Sequence, residues 1–203
     1  MGKRGVGQHH GDLRGALLRA ALELIEEGTA SPSLREVARR AGVSSGAPYH
    51  HFDGHAGLMS AVAAQGFEEL QSALLVARVG VSDGQGSLRA MVERYYTFAL
   101  EHDAYYRTMF APSAGAKGGA GDLEARARGA FAELIGAVSR ARPGLPESEL
   151  LALTRQVWAS AHGAVCLGSE GTLGRFGSPP SRDAAAKELA SAILGMVRGW
   201  ETH

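Results

Sequence analysis

The chain is poor in the residues that would commit it to a covalently or metal-held architecture. It has one cysteine, Cys166, so no internal disulfide can form. No cluster of cysteine and histidine supplies the several ligands of a structural zinc site, and we expect neither a metal nor another cofactor. Long apolar runs are missing as well. The uncharged stretch QVWASAHGAVCLGS, which no other exceeds in length, is too short and too polar to span a bilayer. The opening MGKRGVGQHHGDLRG does not lead into the apolar core of a signal peptide, because Leu17-Leu18 give way at once to Arg19. A cytoplasmic protein without membrane contact is the expectation. Neither sign of charge is in excess, since 21 Lys and Arg balance 21 Asp and Glu, which argues against a generic polyanion binder. Strand signals are absent throughout, so the expected fold class is all-α.

What is present is helical periodicity broken at regular intervals. Leu13, Leu17, Leu18, Ala21, Leu24 and Ile25 recur at helical spacing, and Gly28 follows as a stop. Ser33 stands three residues before Glu36, the reciprocal capping box, so a short helix begins there and ends at Gly42. Ser44 or Ser45 is expected to cap a third helix, which places Pro48 near its start, where few intrahelical bonds are lost. Asp53 is read as the cap of a longer fourth helix carrying Leu58, Met59, Val62, Phe67, Leu70 and Leu74. A fifth helix bears Leu88, Met91, Val92, Tyr95, Tyr96 and Phe98, and a short sixth follows His102-Asp103. The composition of PSAGAKGGAG, residues 112–121, predicts a flexible loop, after which Asp122 restarts a helix that Pro143-Gly144 ends. Two final helices are expected over 147–168 and 183–200, about nine in all.

Ser33 to Phe52 matches helix-turn-helix geometry, in which the N-terminal residues of the second helix meet base edges in the major groove. Ser45, Gly46 and Ala47 are small enough to approach the groove floor, where Ala47 can touch a thymine methyl group and a serine hydroxyl can bond to a base edge. A plain helical hairpin has the same spacing. Residues 1–60 hold five of the eight histidines against seven Lys and Arg and six Asp and Glu, so cationic capacity here depends partly on pH.

Ser33-x4-Ala38-x3-Gly42-Val43-Ser44, ending in Tyr49-His50-His51-Phe52 after three N-terminal helices, resembles the TetR family of bacterial transcriptional regulators. That resemblance implies an N-terminal helix-turn-helix domain, placed at 10–56, and a C-terminal effector-binding and dimerisation domain, placed at 57–203. It also implies that Tyr49 and His51 contact the phosphate backbone. Ser33, Ser44, Ser45, Gly46, Ala47, Pro48, Tyr49, His50, His51 and His55 are the DNA-binding candidates. Where the family usually places a lysine and an acidic residue after this ending, the chain has His55 and Ala56. Trp158-x3-His162-Gly163 and Tyr105-x3-Met109-Phe110 resemble one subgroup of the same family.

The implied partners are operator DNA, a second copy of the chain and a small-molecule effector. Dimerisation is expected through the last two helices, because Leu150, Leu153, Val157, Ala161, Leu189, Ile193, Val197 and Trp200 give more apolar length than one core face needs. Small Ala159, Gly163, Ala190 and Ala192 would set the approach distance. Tyr95, Tyr96, Tyr105, Tyr106, Met109, Phe110, Phe131, Trp158 and His162 are candidates to line a mostly apolar effector pocket, although aromatics at helical spacing serve packing by default. The reading is a DNA-binding regulator, a repressor released by an apolar effector. One alternative is a helical dimerisation module without DNA binding. Another is a thiol enzyme built on Cys166 and His162, which lacks an orienting Asn or Asp and an oxyanion loop.

Overall fold

The computed structural model describes residues 13–111, 120–169, 172, 175, 177 and 181–201. Within them lie eight α-helices: α1 (Leu13–Glu26), α2 (Leu34–Arg40), α3 (Gly54–Ala77), α4 (Gly84–Glu101), α5 (Asp103–Met109), α6 (Ala120–Ala141), α7 (Glu147–Ser169) and α8 (Arg182–Arg198). No strand occurs among the described residues. The chain separates into two compact units, one formed by residues 1–66 with 104–124 and the other by 67–103 with 125–203. Helix α3 supplies residues to both.

In the first unit, α1, α2 and the start of α3 close on a single core. Leu17, Leu18, Ala21, Leu24 and Ile25 of α1 bury against Leu34 and Val37 of α2, Phe52, and Leu58, Met59 and Val62 of α3. Each Leu, Ile, Val, Met or Phe side chain among them contributes about 1.5–3 kcal/mol when fully buried. Tyr105 of α5 joins this same core. It does so beside Gly66, where a Cβ atom would lie 2.6 Å from Met109 Cγ and 3.0 Å from Tyr105 Cε2. A bare backbone there lets α5 come close to α3.

Charge ties the first two helices together. Arg40 donates to Glu27 at 2.9 Å and to Glu23 at 3.3 Å. The hydrogen bond from Arg40 holds the Glu27 carboxyl below its ordinary value. At the head of α2 the capping box is complete: the Ser33 amide donates to Glu36 Oε2 at 2.8 Å, and the Glu36 amide donates to Ser33 Oγ at 3.3 Å. Hydrogen bonds from Ser33 lower the Glu36 carboxyl in turn.

In the second unit, α4 packs closely on α8 and α7, and those two pack on each other. Leu88, Met91 and Ala99 of α4, Leu153, Val157 and Val165 of α7, and Ala190, Ile193 and Val197 of α8 are all buried. Thr154, a fully buried polar residue of this core, donates its hydroxyl back to Leu150 O at 2.7 Å. The last turn of α6 meets the start of α4 closely, since a Cβ at Gly84 would lie 2.1 Å from Arg140 O. Along the rest of α6 polar side chains tie it to α3 and the adjoining Arg78: Arg126 on Glu68 at 2.6 Å, Arg78 on Glu133 at 2.9 Å, and Gln71 on Glu133 at 3.4 Å.

Three sequence expectations need correction. The segment after Ser44-Ser45 is not a capped α-helix but one 3-10 turn over Ala47–His50, preceded by Gly46 with no side-chain cap. Pro48 has no amide proton to donate, and the chain turns again at Gly54, so one turn's length remains, the scale at which 3-10 closure occurs. Helix α6 begins at Ala120 rather than Asp122; residues 112–119 of the expected loop lie outside the described residues. Finally, Leu153, Val157, Ala161, Ile193 and Val197, and with them Ala190, are consumed by the subunit's own core. Any dimer face on α7 and α8 must use their other sides.

Candidate DNA-reading surface and effector site

The turn between α2 and the 3-10 segment is built by backbone bonds. Gly42 takes φ +70°, which only glycine adopts readily. The Val43 amide then donates to Ala38 O at 3.0 Å and the Gly42 amide to Arg39 O at 3.3 Å, the paired bonds of a Schellman cap. The chain leaves α2 sharply enough for the next segment to cross it. Amides of Ala47, Tyr49 and His51 donate three residues back, to Ser44, Gly46 and Pro48.

This arrangement sorts the candidate residues. Ser44, Ser45, Gly46, His50 and His51 are exposed, Ala47 is half-buried, and Tyr49 is 58% exposed despite its ring. Pro48 points inward and is buried, so it shapes the segment rather than facing outward. Phe52 is buried too, with the Arg14 guanidinium 5.6 Å from its ring centroid. Ser33 is occupied by its capping box. His55, at the second position of α3, places Nε2 3.0 Å from Ser31 Oγ. Arg35 and Arg39, one turn apart on α2, are both exposed. Sequence reasoning passed over these two cations, although their i, i+4 spacing opposite the buried Leu34, Val37 and Ala38 was a readable signal.

In the second unit, Trp158, His162 and Cys166 follow one another at i, i+4 and i+8 along one stripe of α7. Tyr95 Oη of α4 lies 3.4 Å from His162 Nδ1, and Cys166 Sγ lies 3.5 Å from His162 Nε2. The Trp158 and His162 ring centroids are 5.8 Å apart, and Phe131 of α6 meets Trp158 edge-on at 6.1 Å. Burial pushes the His162 imidazole below its ordinary value. Burial also raises the Tyr96 hydroxyl, opposed by the weaker influence of Arg182. The structure therefore brings together Tyr95, Phe131, Trp158 and His162 from the expected pocket and adds Cys166. Tyr105, Tyr106, Met109 and Phe110 fall in the first unit. There Tyr105 and Met109 pack by Gly66, and the Tyr106 and Phe110 rings lie 4.9 Å apart.

Residues 88–193 match the model of the tetracyclin repressor-like C-terminal domain, and residues 17–62 match that of bacterial regulatory proteins of the tetR family. The chain belongs to the TetR family. The 3-10 turn and α2 thus lie within the matched DNA-binding segment of a transcriptional regulator. A curated relative, the HTH-type transcriptional activator FasR of Mycolicibacterium smegmatis, is 36% identical over 110 residues, 53% of this chain. The aligned region spans 50% of that relative's length. Among solved structures, a protein of unknown function from Rhodococcus sp. RHA1 superposes with TM-score 0.76 at 27% identity, covering 94% of this chain and 98% of the other. The fatty acid degradation regulator FadR from Bacillus halodurans shares the TetR fold at 13% identity, with TM-score 0.69 over 92% of this chain and 97% of its own.

Proposed function

We propose that the protein is a homodimeric, sequence-specific DNA-binding regulator that reads a palindromic operator through Ser45, Gly46 and Ala47 and docks on phosphates through Tyr49 and His51. The observation that carries this reading is the exposed Tyr49 ring on a turn whose neighbours Pro48 and Phe52 are buried. An aromatic held outward by a rigid local frame has no folding role there, and a hydroxyl so placed suits a phosphate contact. His50, His51 and His55 need only donate hydrogen bonds to phosphates, for which arginine is not required.

Dimerisation through α7 and α8 is supported by their outward sides, where Ala159, Leu167, Ala192 and Gly195 are exposed and a Cβ at Gly163 or Gly195 would meet nothing within 4 Å. Such faces let two backbones approach closely in a four-helix arrangement. The effector is a small, largely apolar molecule taken up in the second unit beside Phe131 and Trp158, and its binding releases the operator. The relative named an activator favours a second reading, in which the same DNA binding turns transcription on. DNA selected from a random library by the full chain, then tested by gel shift and in a promoter fusion, decides both points. Enrichment of an inverted repeat supports the operator reading, and the sign of the reporter response assigns repression or activation. Failure to enrich any sequence would sink the reading.

A further inference from the structure

The segment assigned above to DNA reading has no permanent positive charge of its own. Residues 41–55, which run from the end of α2 into α3, contain no lysine or arginine, one acidic residue, Asp53, and three histidines, His50, His51 and His55. All four of these side chains are exposed. With the imidazoles neutral the stretch carries one negative charge; with all three protonated it carries two positive ones, three imidazolium charges less one carboxylate. Against a polyanion the protonated form is the favoured one.

Local structure keeps the three rings in place. His50 ends the 3-10 turn and the His51 amide donates to Pro48 O at 3.0 Å, so both side chains stand on a backbone closed over a buried proline. With three residues per turn, neighbours on such a segment point about 120° apart, and His50 and His51 do not converge on one phosphate. His55 is tethered separately, its Nε2 lying 3.0 Å from Ser31 Oγ. A serine hydroxyl accepts as well as donates, so this bond survives protonation of the ring, and the protonated ring then has a second donor at Nδ1. A neutral His55 that spends its one proton on Ser31 leaves at Nδ1 only a lone pair, which a phosphate oxygen repels.

The charged groups of the neighbouring helices are of other types. Arg14, Arg19, Glu23 and Glu26 belong to α1, with Glu27 just after it, and Arg35, Glu36, Arg39 and Arg40 belong to α2, while α3 carries no charge from Ala56 to Phe67. Arg40 is paired with Glu23 and Glu27, and Glu36 accepts from Ser33, so Arg35 and Arg39 are the exposed cations of α2. Among side chains it is histidine whose charge ordinarily changes between about pH 6 and 8. A change of DNA affinity across that range therefore reports on imidazoles, and these three are the ones on the docking face.

We propose that His50, His51 and His55 make operator binding proton-linked: the complex takes up about one proton per subunit on this face, and affinity rises as pH falls from about 8 to 6. The inference rests on the DNA-reading proposal above and adds its response to pH.

The test uses the full chain and the inverted repeat selected from the random library, followed by fluorescence anisotropy at about pH 8 and 6 across a salt series, with folding checked by circular dichroism. Affinity should rise roughly tenfold at the lower pH, and the plot of log affinity against log salt should steepen by about two, one further neutralised phosphate per subunit. Calorimetry in buffers of different ionisation enthalpy should show the proton uptake directly. Replacing His50, His51 and His55 together by glutamine, which keeps an uncharged donor, should remove both the uptake and the steepening. Each single replacement should remove part of them, and the singles decide the matter if the triple variant folds poorly. Operator binding with no proton uptake and an unchanged salt slope overturns the inference and leaves the DNA-reading proposal standing. So does uptake that persists undiminished in the glutamine variants, which places the protons elsewhere. Failure to bind the repeat better than scrambled DNA at either pH overturns the DNA-reading proposal itself.

Discussion

Tyr49 and His162 show how a single side chain declares a role through an environment that does not suit it. Tyr49 keeps a large ring in solvent while the residues on either side of its turn are buried. If it holds a phosphate, Tyr49→Ala should weaken binding by about 1 kcal/mol per subunit, roughly fivefold, and equally on operator and on scrambled DNA. Replacing Ala47 should instead change which bases are preferred. Fluorescence anisotropy on the two duplexes separates these outcomes, and an unchanged affinity for Tyr49→Ala at moderate salt would reassign the docking face. His162 is the opposite case, a titratable group drawn inward and kept neutral by burial. Its lowered folded pKa means that the unfolded chain binds the proton more readily. The stability owed to the neutral form is thus full above the ordinary imidazole value and is lost as pH falls through it and below, towards the folded value. Thermal melts between about pH 7.5 and 5 should show a steeper decline for the wild type than for His162→Gln, since carboxylate titrations are common to both proteins.

At the level of elements, the parts legible in the sequence were those that local chemistry dictates. The capping box at Ser33 and Glu36, the Gly42 turn and the core stripe of α1 each follow from short-range bonds or from one helix's periodicity. The 3-10 form of the segment at Ala47–His50 was less legible, because serine before a helix signals a cap whether or not its hydroxyl is used. Least legible was the allegiance of α5. Tyr105 and Met109 carry the same apolar pattern whichever core receives them, and only the absence of a side chain at Gly66, thirty-nine residues before Tyr105, admits them to the first unit. That juxtaposition has a measurable consequence. Gly66→Val must push Met109 and the Tyr105 ring aside, and overpacking of this kind costs about 1–3 kcal/mol. Chemical denaturation should detect the loss, and Met109→Ala should restore part of it by vacating the atoms that the new Cβ would meet. An unchanged midpoint for Gly66→Val would show that α5 yields without cost.

For the whole molecule, symmetry and linkage decide function. With the inward sides of α7 and α8 spent on the subunit core, the dimer proposed above uses Ala159, Gly163, Ala192 and Gly195, and a bulky residue should act differently on the two sides. Gly163→Trp should leave the monomer folded, because a Cβ there meets nothing within 4 Å, yet halve the mass seen by light scattering at micromolar concentration. Ala190→Trp, at a fully buried position, should instead unfold the protein. A Gly163→Trp protein that remained dimeric would move the interface elsewhere. Under the proposed reading, effector and operator would communicate through α3, one unbroken helix with residues in both units. A ligand shifts the equilibrium only by the difference in its affinity for the DNA-competent and DNA-released states. For couplings of about 1–3 kcal/mol, operator affinity falls roughly 5- to 150-fold, and by reciprocity the operator lowers ligand affinity by the same factor. That equality gives a test independent of knowing the natural effector. Any hit from a thermal-shift panel of hydrophobic compounds should bind the operator-loaded dimer more weakly than the free dimer. The factor should match the loss of operator affinity that the compound causes. A compound that binds both forms equally would occupy the second unit without touching the equilibrium that governs DNA release.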